Sequence, residues 1–144
     1  VRVLRPGAVG LAALRAVAPE LQASVEYAAS AERRASPGMG GRHYAPRARL
    51  VLAETHEKAE SLAVDLASTG ARVGLVVREA PGTAHVSVLV RELPSGAARY
   101  AHLLFGTLHD LDDARVDAIV VHDVPTDEAW GAVADRLRRA AATE

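Results

Sequence analysis

LVLAETHEKAESLAVDLASTGARVGLVV, from Leu50 to Val77, is the stretch whose reading decides the fold. It opens on Leu50-Val51-Leu52-Ala53, a short apolar run of buried-strand type. Ala59, Leu62, Ala63 and Leu66 follow at spacings of three and four residues, which puts them on one face of a helix. Gly70 stands where a C-terminal cap belongs, because a glycine reverses the chain there without steric cost. Val73 to Val77 is then a second apolar run. Gly74 inside it predicts close helix packing or a bulge.

Downstream the alternation repeats. Val86 to Val90 predicts a third strand, and Ala97, Ala101, Leu104 and Leu108 predict the buried side of a second helix. Val116 to Val121 predicts a fourth strand. Trp130, Val133, Leu137 and Ala140 predict a last helix with a buried tryptophan, and Thr126 is the expected N-cap. Short apolar strands alternating with amphipathic helices imply an α/β fold whose mostly parallel sheet is covered on both faces. With right-handed crossovers this is a small Rossmann-like three-layer sandwich. The sequence contains no internal repeat.

Upstream, residues 28–47 hold three glycines, two prolines and no sustained period, as a linker would. Residues 1–27 read as strand, turn, helix, strand, with Leu11, Leu14 and Val17 on the helix and Pro19 ending it. That zone is too small to hold a core of its own. The expected division is therefore 1–27, the linker 28–47, and an α/β domain over 48–144.

Composition narrows the function classes. The chain is 49% hydrophobic and 24% charged with a formal net charge of −1, so it has no basic excess of the kind nonspecific nucleic-acid binders use. Direct nucleic-acid binding is not expected. It has no cysteine, which removes disulfides, thiolate metal sites and cysteine nucleophiles, and suits a reducing cytoplasm. No apolar run approaches the roughly 20 residues that span a bilayer, so no membrane partner is expected. The start at Val1 lacks an initiator methionine, and the chain is expected to be a piece of something longer.

Most catalytic patterns are missing. Gly38-Met39-Gly40-Gly41 is followed by no Lys-Ser/Thr pair and fits no phosphate loop. His56-Glu57-Lys58-Ala59-Glu60 begins like a zinc helix, but glutamate stands in place of the second histidine. His102 and His109 read as surface residues. Asp110, Asp112, Asp113 and Asp117 surround a helix end and read as turn and capping residues before they read as an oxygen-ligand metal site. The linker is the exception. Ser36-Pro37-Gly38-Met39, two residues, then Arg42-His43-Tyr44-Ala45-Pro46 gathers phosphate donors and stacking rings on a stiff path. Those residue types fit a ligand-contacting loop and an ordered spacer equally.

This string resembles the interdomain linker of the two-domain L-threonylcarbamoyladenylate synthases, with Gly40-Gly41 where the family often has a Lys-Tyr-like pair. Leu4-Arg5-Pro6-Gly7 is similar to the end of the family's catalytic domain. Leu104-Phe105-Gly106-Thr107-Leu108-His109-Asp110-Leu111-Asp112 resembles its Leu-Phe-x-x-Leu-Arg-x-Leu-Asp stretch, with His109 replacing arginine. The segment from Trp130 to Ala141 resembles the family's terminal helix. The resemblance implies an enzyme that condenses L-threonine, bicarbonate and ATP, with Mg2+ accompanying the nucleotide, into threonylcarbamoyl-adenylate for tRNA modification. It implies an upstream catalytic domain and an accessory domain with no cofactor of its own. It also implies ATP contacts by Arg5 and by the His43-Tyr44 pair, and no catalytic residue or metal ligand in this portion, which alone is expected to be inactive. The rival reading is a free-standing regulatory module that binds a small ligand or a protein.

Overall fold

Four strands and three long helices make up about two thirds of residues 49–141. The computed structural model describes residues 7, 9–19, 45–82 and 85–142. Its elements run α1 (Leu11–Val17), β1 (Arg49–Ala53), α2 (His56–Ser68), β2 (Val73–Val77), β3 (Val88–Glu92), α3 (Ala97–Asp113), β4 (Ala118–His122), a one-turn 3-10 helix (Glu128–Trp130) and α4 (Gly131–Ala141). The strands form one sheet in the order β1-β4-β2-β3, with every pairing parallel. Ala118 lies opposite both Arg49 and Val73, and Val73 opposite Val88, so all four strands start level.

Two apolar layers cover the sheet. On one face Ala59, Ala63 and Ala67 of α2 pack against Val73, Leu75, Val77 and Val120. The alanines recur every four residues, and their small size lets the helix axis lie close to the strands. On the other face α3 and α4 bury Tyr100, Leu104, Leu108, Leu111, Val133 and Leu137 against Leu50, Val76, Ile119 and Val121. The result is the three-layer parallel α/β sandwich anticipated from the alternation. The central strand β2 is buried at all five positions, which is why it reads as an unbroken apolar run.

Both predicted glycine roles have a physical basis. Gly70 follows the C-cap Thr69 with φ +94°, and its N–H donates to the Ala67 carbonyl at 3.0 Å. A Cβ at Gly74 would lie 2.8 and 2.9 Å from the two δ carbons of Leu111, so glycine there permits close approach of α3.

Four details differ from the sequence reading. The third strand starts at Val88, not Val86; Val86 is 99% exposed in a turn closed by Val88 N–H donating to the His85 carbonyl. The fourth starts at Ala118, because Arg115 turns the chain at φ +54° and Val116 is buried ahead of the strand. The buried stripe of α3 runs through Tyr100, Leu104, Leu108 and Leu111, with Ala97 and Ala101 only partly buried at its margin. Asp127, not Thr126, caps the last helical segment, its Oδ1 accepting from Ala129 N–H at 3.0 Å. The helix expected around Leu11 to Val17 is present as α1. The strands expected at Val1–Leu4 and Gln22–Tyr27, and nearly all of the 28–47 linker, fall outside the described residues.

Candidate functional site

The edge where the strands begin is tied by aspartates. Asp112, at the end of α3, accepts from Arg47 N–H at 2.8 Å and from Ala48 N–H at 3.1 Å. It thereby fixes the point at which the incoming chain becomes β1. Asp117 accepts from Arg72 N–H at 2.8 Å and joins the starts of β2 and β4. Asp113 meets Arg47 at 3.9 Å and His109 at 3.5 Å, all on the surface. Capping and turn roles therefore account for Asp112 and Asp117. Among the described residues no three of His, Asp and Glu gather closely enough to hold a metal ion.

The opposite edge, where the parallel strands end, gathers polar side chains from five elements. In an open parallel sheet this is the edge at which ligands bind, because the chain diverges there to either face. Arg78 leaves the end of β2. Its Nη2 donates to the Asp123 carbonyl at 3.0 Å and lies 3.2 Å from His122 Nε2. Its guanidinium carbon lies 5.5 Å from the Trp130 ring centroid, in cation–π range. Trp130 meets Tyr100 edge-on at 5.2 Å. His122, the last residue of β4, meets the His56 ring edge-on at 5.7 Å. His56 Nε2 contacts Glu60 Oε1 at 2.8 Å, and that oxygen accepts from Gly82 N–H at 2.7 Å.

Burial acts on two of these groups. It is the main cause holding the His122 imidazole below its ordinary 6.5, reinforced by the adjacent Arg78 and His56 and opposed by Glu79 and Asp123. His122 is thus neutral near pH 7 and receives the Arg78 N–H. Burial pushes the Tyr100 phenol up to about 12, against the pull of Arg78.

The row His56–His122–Arg78–Trp130–Tyr100 was not singled out from the sequence. Each member has an ordinary local reading: helix start, strand end or core aromatic. Only the location of Arg78 and His122 just past apolar runs marks them, because in a parallel sheet those positions share one edge. His56 and Glu60, which sequence spacing sets four apart, do meet, as an intrahelical pair. His102 and His109 are exposed on α3, as expected. Trp130 is core. Arg5, His43 and Tyr44 lie outside the described residues.

The fold defines a parallel three-layer α/β domain with a polar cluster at its strand-end edge. Comparison with known proteins makes the assignment particular. The model of the threonylcarbamoyl-AMP synthase C-terminal domain matches residues 9–142, and the chain belongs to that family. The threonylcarbamoyl-AMP synthase of Bacillus subtilis (strain 168) is 28% identical over 142 residues, covering 96% of this chain and 41% of that protein. The Pyrococcus abyssi (strain GE5 / Orsay) enzyme of the same name is 29% identical over 147 residues. The chain thus spans about two fifths of the curated relatives it matches. A crystal structure of P. abyssi Sua5 complexed with L-threonine superposes with a TM-score of 0.81 at 29% identity, covering 97% of this chain and 42% of that one. The C-terminal Sua5 domain from Pyrococcus horikoshii matches 65% of this chain and 93% of its own length, with a TM-score of 0.51 at 27% identity. Among the described residues no helix is long and apolar enough to cross a membrane.

Proposed function

We propose that this chain is the C-terminal part of a threonylcarbamoyl-AMP synthase, working with a catalytic domain upstream of it. The observation that carries the reading is the family match over residues 9–142, in relatives more than twice this chain's length. The complete enzyme makes threonylcarbamoyl-AMP from L-threonine, bicarbonate and Mg2+-bound ATP in the cytoplasm. It releases pyrophosphate and supplies the threonylcarbamoyl group for tRNA threonylcarbamoyladenosine. The accessory domain holds the linker, and the linker covers the nucleotide. Asp112, which grips the backbone at Arg47 and Ala48, supports this arrangement, since it fixes the chain three residues after Tyr44.

In this reading Arg5 and the His43-Tyr44 pair contact ATP. Arg5 supplies fixed positive charge to the phosphates, and the ring residues supply hydrogen bonds or stacking. A P. abyssi relative has been solved with an adjacent histidine–tyrosine pair replaced by alanine, the same pair type as His43-Tyr44. That likeness supports the choice of residues.

Pyrophosphate release tests the proposal. The 144-residue chain, given threonine, bicarbonate, Mg2+ and ATP, should release none above background. The same chain joined to the family's catalytic domain should be active. Arg5→Ala, or His43→Ala with Tyr44→Ala, should then lower nucleotide affinity or rate about tenfold, the effect of losing one hydrogen bond to a charged group. Turnover by the short chain alone would overturn the accessory-domain reading. Unchanged kinetics in the variants would remove the assignment of those three residues.

A further inference from the structure

Among the described residues three buried side-chain polar atoms lack a hydrogen-bond partner: His56 Nδ1, Arg78 Nε and Tyr100 Oη. All three belong to the one row of touching groups at the strand-end edge. Buried polar groups are satisfied in the great majority of cases, and an orphan calls for a water, an ion or a ligand. Three orphans in one contiguous row, with none elsewhere in the described residues, mark a place built for an occupant.

The chemistry of the row selects that occupant. Arg78 carries a permanent charge, and among the described residues no carboxylate lies within ion-pair distance of it. Glu60 is engaged by His56 and by Gly82 N–H, and Asp123 Oδ1 accepts from Val124 N–H at 2.8 Å. Glu79 is exposed. Nη2 is used by Asp123 and His122, which leaves Nε, and no hydrogen bond to Nη1 is present among the described residues. Arg78, His122 and Asp123 are each half-buried, so solvent reaches this edge.

We propose that the strand-end edge of this domain binds a small oxyanion, a carboxylate or phosphate group, on Arg78, with the Tyr100 hydroxyl donating a second hydrogen bond and Trp130 lying against the guanidinium. An arginine donor to an oxyanion forms a charge-assisted bond, stronger than a bond to water. The site is independent of the catalytic reading, since binding is measured without turnover.

Trp130 is the only tryptophan in the chain and lies against Arg78, so its fluorescence reports directly on the site. The 144-residue chain is titrated with inorganic phosphate and, separately, with acetate, at ionic strength matched by sodium chloride. A saturable fluorescence change and a rise in Tm with at least one anion are expected, and the stronger one identifies the head group. Arg78→Gln should weaken binding about tenfold or more. Tyr100→Phe should weaken it several-fold without lowering the Tm of the anion-free protein, because its hydroxyl has no partner to lose. Arg136→Gln, on the exposed side of α4, should bind as the parent does. If Arg78→Gln fails to fold, 15N–1H spectra of the arginine Nε groups in the parent chain replace it, and one Nε resonance should move with phosphate. A response matched by chloride, no response to either anion, or full binding by Arg78→Gln would overturn the proposal and leave a water-filled structural network.

Discussion

Gly74→Ala tests whether the close approach of α3 to β2 is a packing requirement. The added methyl would lie 2.8 and 2.9 Å from the δ carbons of Leu111 and 3.3 Å from its Cγ. Carbon atoms rest at about 3.5–4.0 Å, so both methyls are overlapped by most of an ångström. Rotation about χ2 does not clear both at once, and Cγ stays close throughout. Leu111 is fully buried, so it has no open space to swing into. Overpacking of this kind costs about 1–3 kcal/mol. Against it, alanine loses less backbone entropy on folding than glycine, which returns about 0.4–1 kcal/mol. The net expectation is a loss of about 1–2 kcal/mol, or a Tm lower by roughly 4–16 °C for a domain of this size. Leu111→Ala alone should cost about 2–5 kcal/mol through the cavity it leaves. The double variant should cost at least 1 kcal/mol less than the sum, because the new methyl then occupies space that Leu111 vacates. Urea unfolding of the four proteins, followed by far-UV circular dichroism, measures the cycle. A neutral or stabilising Gly74→Ala, or strict additivity of the pair, would show that α3 has slack here and that the glycine serves another purpose.

Two further outcomes follow from single residues. Asp112→Ala should destabilise the chain by about 1.5–3 kcal/mol in urea unfolding, because one carboxylate holds both Arg47 and Ala48 N–H; Asp112→Asn, which keeps one acceptor oxygen, should lose less. Tyr100 governs the alkaline limb: its ordinary value of 10 is raised to about 12 in the fold, so the unfolded chain releases this proton first. The contribution is intact below pH 10 and is lost as pH rises towards 12, by roughly 2–3 kcal/mol in total. Tyr100→Phe should flatten that part of the stability–pH curve, and an unchanged curve would mean the phenol reaches solvent.

The linear sequence determined the α/β class and, over residues 48–142, the four strands and three long helices, because each element carries its own periodicity within a dozen or so residues. It also placed Gly70 and Gly74, and it marked the aspartates around the end of α3 as capping residues, since side chains of that type act on nearby backbone. Strand ends were legible only to within two residues: apolar Val86 and Val116 extend the pattern past the hydrogen-bonded ladder. The α3 stripe was turned slightly wrong, because the alanines at its margin look as apolar as the tyrosine and leucine that the core takes. Arg5 entered through family resemblance alone, whereas the residue types around His43 and Tyr44 fitted a ligand-contacting loop and an ordered spacer equally, and only the resemblance named ATP. Tertiary structure alone decided the order β1-β4-β2-β3, which inserts the last strand between the first two. That insertion brings His122 beside Arg78 and His56, and the packing of α3 under the 3-10 turn brings Tyr100 and Trp130 to the same edge. Residues 56 to 130 contribute to that row with no shared spacing, and no local pattern can encode a contact that depends on which strands are neighbours.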